Sequence, residues 1–546
     1  MVIAPNTTIK FVNVPIEIDN KNQINFASKQ AQLNYFNSIP NIITITNCTY
    51  QRKDGYVRVP RSFDTMQTYN YCFYQNTSHS EKWFFAFVEN IEYSSEEMTK
   101  VYIKTDVWQT YQFDITFKRC FVEREHVNDD TVGLHTLPEN VELGEYICNS
   151  HTKDTTMDSY ANDLCYILAS TYETLVSPAD PDPDDPRHNQ KYIDTVGSHK
   201  YNGIYTGLAY YYFDTASGID FLLELYAKYG VLDGINGIFM SPKWLAPYQL
   251  TTQGNIVTDS NAPATFNTST AKQTTLNGYT PVNKKLLTFP YNYLLLSNNI
   301  GQNAILHYEK FSDNSNCTFT VKGVINPGCS INITPTNYNG SASSDIDAIQ
   351  LGKFPICNFQ NDMYTNWLTQ NSVNILGATL TTDDINMASS VIGGLAGMIT
   401  GAKTGNILGA GLSAVSGAQG IAGAIMQKKQ HNLIPPTVSG SLNSADVNVA
   451  SGNNTFHYYK MSIKQEYARI IDGFFSMYGY QVNSLKLPNI TGRTNWNYVK
   501  TLECNIVGSL PESGVEELKE IFNNGVTIWH NPATFLDYSQ TNGIVT

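Results

Sequence analysis

Three groups of residues in this sequence have types and spacings that can do chemistry: adjacent carboxylates, a charged cluster ending in histidine, and a run of aspartates. The carboxylate pairs are Asp383-Asp384 and Glu516-Glu517. General acid and base work needs two carboxylates facing one substrate. Sequence neighbours do not face each other on a helix, so each pair reads as solvated side chains or helix-terminus charges. The cluster Glu123-Arg124-Glu125-His126 reads as a strand-edge ion-pair cluster or an inter-subunit contact rather than a catalytic set. The aspartates lie in Pro178-Ala179-Asp180-Pro181-Asp182-Pro183-Asp184-Asp185-Pro186. Alternating Asp can coordinate calcium, but the central Gly and terminal Glu of an EF-hand loop are missing, so the run reads as a stiff exposed loop. No HExxH, GxSxG, Walker A or strand-following GxGxxG occurs. Catalytic residues, a metal and a cofactor are not expected, and the chain does not read as an enzyme.

The elements around these residues point to architecture instead. A chain of 546 residues is too long for one core and suggests about three domains. Charged residues make up 15% of it, against an ordinary share of about 25%. With 35 Tyr and abundant Thr and Asn, the composition suits extended β-structure with polar interfaces. The net charge of −13 and pI near 5.2 disfavour a basic DNA-gripping surface, whereas a tube through which nucleic acid slides wants an acidic wall. The cysteines, Cys48, Cys72, Cys120, Cys148, Cys165, Cys317, Cys329, Cys357 and Cys504, have no metal spacing and read as free buried thiols of a protein folded in a reducing cytosol. MVIAPNTTIKF lacks a basic region followed by an apolar core, so no secretory signal is expected.

The stretch from Met387 to Met426 is unlike the rest. Its 40 residues contain ten of the 37 glycines and one charge, Lys403. Gly393, Gly397, Gly401, Gly405 and Gly409 fall every fourth residue, and Ser413 and Gly417 continue the row. On a helix this row is one smooth face, which lets two backbones approach closely in lipid. Val391, Ile392, Leu395, Met398, Ile399, Ile407, Leu408, Leu412, Val415, Ile421, Ile425 and Met426 supply the membrane-inserting faces. Each glycine costs a helix in water about 1 kcal/mol relative to alanine, so the structure is conditional on a membrane or a tight assembly. A span needs about 20 apolar residues, so two short spans or two packed helices fit. A Gly/Ala-rich helical hairpin buried in a protein core is the alternative. Pro435 and Pro436 end any helix.

Before this stretch, Trp83 to Tyr93 and Val101 to Trp108 predict strands flanking a polar break at Ser94, Ser95, Glu96 and Glu97. Asp214 to Tyr229 has the spacing of a short helix, while Leu286 to Ser297 and Cys317 to Ile333 look like strands. After the stretch, Lys460 to Tyr478 has helical spacing with Gly479 to end it, Gly514 to Asn523 gives a second helix, and Val526 to His530 follows. The aromatic and β-branched segments Trp83 to Trp108 and Trp496 to Ile506 are expected at subunit interfaces.

These segments carry a resemblance. Lys82-Trp83-Phe84-Phe85-Ala86-Phe87-Val88, Ile103-Lys104-Thr105-Asp106-Val107-Trp108-Gln109-Thr110 and Phe121-Val122-Glu123-Arg124-Glu125-His126-Val127 resemble successive motifs of the tail knob, or distal tail tube, proteins of small short-tailed bacteriophages infecting Gram-positive bacteria, the smallest Bacillus podoviruses among them. Trp108 stands where that family usually has Leu. Phe474-Phe475-Ser476-Met477-Tyr478-Gly479-Tyr480, Leu487-Pro488-Asn489, Trp496-Asn497-Tyr498-Val499 and Phe522 to His530 are similar to its C-terminal pattern, and the hairpin followed by Ile434-Pro435-Pro436 has a counterpart there. The match covers residues 80 to 127 and 380 to 530 in the same order and is weak between them.

The resemblance implies a homohexameric tube at the virion tail tip, joined to the proximal tail tube and other tail proteins. It also implies loops that plug the lumen, then enter the host membrane lipid and open a path for double-stranded viral DNA, which passes without sequence-specific binding. The expected fold is mainly β (α+β). Residues 1–148 and 437–546 form the tube domain, 149–380 an inserted outer β-rich domain, and 381–436 the membrane-active hairpin. A free pore-forming toxin and a cell-wall hydrolase are the competing readings.

Overall fold

The structure is a computed structural model that describes residues 6–48, 50–51, 55–77, 82–176, 192–195, 198–215, 217–220, 222, 234–251, 254–299, 303–325, 330–339, 358–360 and 455–545. The glycine-rich stretch at 387–426, the Asp383-Asp384 pair, the Pro/Asp run at 178–186 and most of the 214–229 helix expectation lie outside the described residues. The fold is mainly β with a few helices, as the composition and patterning suggest. The chain divides into two compact units, Met1–Leu143 with Pro281–Leu286 and Glu466–Thr546, and Gly144–Thr280 with Leu287–Gln465.

The first unit holds a seven-stranded antiparallel sheet, in the order Ile43–Cys48, Thr7–Val12, Tyr71–Asn76, Trp83–Ser95, Met98–Thr105, Tyr56–Val59 and Tyr50–Gln51. Side chains alternate between the faces of a strand, so the strands Thr7–Val12, Tyr71–Asn76 and Trp83–Ser95 supply two cores. Ile9, Phe11, Cys72, Ala86 and Val101 pack on one side. Tyr71, Phe73, Phe85 and Phe87 pack on the other, around Phe36 of the Lys29–Ser38 helix, which stacks on Tyr71 at 5.5 Å.

The same unit holds a second sheet, ordered Asn22–Ile24, Val526–Trp529, Trp496–Thr501, Cys120–Glu125 and Tyr480–Lys486, in which only the first pairing is parallel. The Glu512–Asn524 helix packs Leu518, Ile521 and Phe522 with Val499, Val526 and Ile528, the expected short helix extended by two residues at its start and one at its end. The expected helix from Lys460 instead begins at Gln465, because His457–Ile463 is a strand of the second unit. It ends where expected, at Gly479, whose φ of +64° is the left-handed conformation that terminates a helix.

Three sheets of the second unit pack over its main core, beside two short two-stranded ribbons among the described residues. Tyr146–Lys153, His457–Ile463, Asn292–Ser297 and Asn303–Leu306 form one; Ala264–Ala271, Asn316–Val324 and Ser330–Thr336 form another. The third is six-stranded and includes Leu164–Ser170, Ala209–Phe213 and Ile235–Pro242. The core contains Ile167, Phe239, Leu294, Leu306, Phe319, Ile333 and Tyr458. The expected strand from Leu286 starts later, at Asn292, since Lys284–Leu287 is a 3-10 turn.

Candidate functional site

The motif segments of the first unit converge on buried polar groups. Ile103 to Thr110 does not continue as strand. Asp106 lies between the strand Met98–Thr105 and the short helix Val107–Tyr111, and its side chain accepts the Gln109 N–H at 3.0 Å. A carboxylate in that position satisfies an otherwise orphaned helix donor, so the chain turns there. The Tyr71 hydroxyl donates to the other Asp106 oxygen at 2.9 Å. Burial raises the Asp106 carboxyl to about 6 despite these bonds. Trp108 Nε1 donates to the Ile24 carbonyl at 2.9 Å, and the Gln109 amide donates to the same oxygen at 2.8 Å. Trp108 and Trp496 are buried in the unit's own core rather than offered to a neighbour, which corrects the interface expectation for these two residues.

The cluster at Glu123 to His126 is also internal. Its strand is flanked by Trp496–Thr501 and Tyr480–Lys486, with a register shift between Val122 and Arg124. The strand-edge expectation therefore fails at its location, although the ion pairs are present. Glu123 meets Lys500 at 2.9 Å and Glu125 meets Lys486. Glu125 also accepts the Asn489 N–H at 2.8 Å. Arg124 donates to the Gly479 carbonyl at 2.7 Å, lies 4.8 Å from the centre of the Phe474 ring, and pairs with Glu139.

Glu139 is the hub. Its side chain is fully buried and accepts from Arg124, from Lys285 at 2.5 Å and from the Gln481 N–H at 2.9 Å. Burial lowers the Lys285 ammonium pKa, and the neighbouring Glu139 opposes that shift. These bonds hold the irregular 127–143 segment and the 281–286 segment to the sheet. Asp130 accepts the Tyr480 hydroxyl at 2.6 Å and the Lys284 N–H at 2.9 Å. Asp472, on the helix, accepts the Val282 and Asn283 N–H groups at 2.7 and 3.0 Å.

His126 joins three elements. Its Nδ1 accepts the Tyr498 N–H at 2.8 Å, which leaves Nε2–H to donate to the Ser476 carbonyl at 3.1 Å. That tautomer is neutral, and burial, aided by the Arg493 charge, lowers the imidazole to about 3. Gly479 passes so close that a Cβ there would lie 2.1 Å from the Glu125 carbonyl oxygen. The Phe-Ser-Met-Tyr-Gly-Tyr motif thus fits against the Arg-Glu-His-Val motif through backbone contact. Glu139, Lys285, Asp130 and Asp472 were not singled out by sequence reasoning. Asp472 left one signal, an acid within the apolar spacing of Ile463 to Met477.

This arrangement holds segments together. Each acid of the hub is matched by cations or N–H donors. Glu516 and Glu517 bond separately to Lys519 and Lys104, at 2.8 and 3.1 Å. Among the described residues no group of three or more His, Cys, Asp or Glu can hold a metal ion, and no helix is long and apolar enough to cross a membrane. The described cysteines are free, and all but Cys148 are buried.

The motif residues of this mainly β protein build scaffold, and the comparisons with known proteins specify its class. Residues 257–543 match the family model of the C-terminal domain of the Bacillus phage phi29 tail knob protein gp9, and residues 5–116 match that of the caudoviral major tail protein N-terminus. The chain belongs to the tail knob family. It is similar to the tail knob proteins gp9 of Bacillus phages B103 and phi29, at 25% and 26% identity, over 95% of this chain and 96% and 95% of those relatives. Its fold is similar to that of the bacteriophage C1 tail knob protein gp12, with a TM-score of 0.62 and 14% identity, over 99% of this chain and all of that one. The chain is a tail structural protein of the virion and not an enzyme.

Proposed function

We propose that the chain assembles as a homohexameric distal tube at the tail tip, joined to the proximal tail tube, through which the double-stranded genome leaves. In this reading the 381–436 segments plug the lumen, are released at the cell surface, and insert into the host cytoplasmic membrane as a pore for DNA. The observation that carries it is the glycine row within the single-charge stretch at 387–426. Small residues at that spacing favour close helix packing in lipid and disfavour a helix in water. The acidic net charge suits a wall along which a polyanion slides. Near full-length similarity to tail knob proteins supports this reading over a free toxin.

Dye release from liposomes tests the membrane step. Leu395→Asp or Leu412→Asp should abolish leakage, since an acid near the centre of a span costs about 2.5–3.5 kcal/mol in each inserting copy. Gly397→Ile or Gly401→Ile should weaken it by separating backbones. Lys403 near the turn should be tolerated, because its charge can sit at a headgroup rather than at mid-membrane. Normal leakage and infectivity in the aspartate variants would leave the segment as a plug alone.

A further inference from the structure

One face of the second sheet in the first unit carries an apolar row. Leu485 and Phe121 are direct cross-strand partners, and the Leu502 N–H donates to the Phe121 carbonyl at 2.9 Å. Directly opposed residues share a sheet face, so the three side chains form one row. They are 68%, 37% and 63% exposed. The strand Tyr480–Lys486 is the last in the order of this sheet. Glu139 covers its outer edge at the Gln481 N–H, and among the described residues no strand pairs with it beyond Cys120–Glu125. Lys118 and Arg119 stand exposed just before Phe121 in sequence. An apolar row beside basic side chains at a sheet edge is a surface that invites pairing with another chain.

A second feature of the same unit has the opposite charge. The strands Trp83–Ser95 and Met98–Thr105 pair from Ala86 to Ser95, but beyond Val88 the first strand is exposed on both faces, apart from the half-buried Ile91. This distal ribbon presents Glu89, Glu92, Glu96 and Glu97, with Tyr93 58% exposed. Glu92 is engaged by Lys100 and Tyr102, which leaves the Glu96-Glu97 turn as its charged tip.

We infer that the ribbon of one copy docks on the Leu485–Phe121–Leu502 row of the next copy, with Tyr93 on the apolar row and Glu96 and Glu97 facing Lys118 and Arg119. The occupant is another copy because the chain itself carries the charge-complementary partner of the row. The two patches differ, so the contact is head-to-tail, the type that closes into rings when the rotation per copy allows. This contact rests on the ring assembly proposed above and names the surfaces that make it.

The experiment uses the full chain on negative-stain grids and in light scattering, with thermal melts as a folding control. Lys118→Glu with Arg119→Glu should weaken ring formation by about tenfold or more in the concentration required, and so should Glu96→Lys with Glu97→Lys, because like charges then meet across the contact. All four substitutions in one chain should restore rings. All the substituted side chains are exposed, so melting should be unchanged. Rings that ignore both reversals, or fail to return in the fourfold variant, overturn this contact while the hexamer stands, and leave the row to a different partner. A wild-type chain that stays monomeric at every concentration overturns the hexamer and this contact together.

Discussion

Glu139 of the first unit and Asp154 of the second are buried acids satisfied in different ways. In the first, the centre is ionic: Glu139 between Arg124 and Lys285, Glu125 beside Lys486, and neutral His126 bridging two backbone groups. In the second, buried Asp154 caps the Thr155–Asn162 helix and is held by neutral donors, the Met157 N–H at 2.9 Å and the hydroxyls of Thr268 and Tyr458 at 2.5 and 2.6 Å. A buried ionic hub fixes the position of segments that have no regular structure, and the 127–143 segment is such a case. A hydroxyl-bonded acid inside a large apolar core fixes a single helix start. The first design is the more sensitive to loss of one partner.

The largest expected effect follows from that difference. Glu139→Ala should destabilise the first unit by about 3–5 kcal/mol, because it leaves Lys285 buried without its counter-charge. Thr268→Val in the second unit should cost only about 1 kcal/mol, the usual worth of one hydrogen bond. Urea unfolding of each variant, followed by domain-resolved hydrogen exchange, measures both. Equal losses would remove the contrast.

A smaller effect is pH-dependent. The His126 and His530 imidazoles are lowered by burial, to about 3 and about 4. The unfolded chain takes up these protons near pH 6.5 and the folded chain does not, so stability present above pH 6.5 is lost as pH falls toward those values. Asp106 works in the opposite sense. Its folded value of about 6 lies above the unfolded value near 4, so its contribution is present at low pH and is lost as pH rises through 6. Below pH 4 the histidines should dominate. His126→Gln should flatten the acid limb of a stability curve and Asp106→Asn the limb between pH 4 and 6, and a curve unchanged in either variant would refute that assignment.

The smallest effect is at the surface of the same sheet. Glu123 and Lys500 form a partly exposed pair, and Glu123→Ala should cost at most about 1 kcal/mol and less in high salt. A loss comparable to that of Glu139 would place Glu123 in the hub.

Much of the first unit was legible because its patterns are local. Val101 to Thr105 alternates, Gly479 marks a helix end, and Gly514 to Asn523 has a clean apolar face. The departures occur where a single side chain redirects the backbone. Asp106 reads as one more alternating strand residue until its carboxylate is seen at the Gln109 N–H. Lys460 to Ile463 fits a helical period, yet pairs as strand with Tyr146–Lys153 and Asn292–Ser297, distant segments that no local pattern connects. The hub was illegible for the same reason, since Glu139 and Lys285 are 146 positions apart. The membrane-inserting residues and packing glycines rest on sequence alone, because they lie outside the described residues.

The most direct test of the account compares the full chain with one lacking residues 387–426, scoring rings on grids and dye release from liposomes on the same preparations. The expected result is sixfold rings or short tubes from both chains and leakage from the full chain only. Leakage that survives the deletion would contradict the membrane role of the hairpin, and a deleted chain that fails to fold would show the stretch to be core.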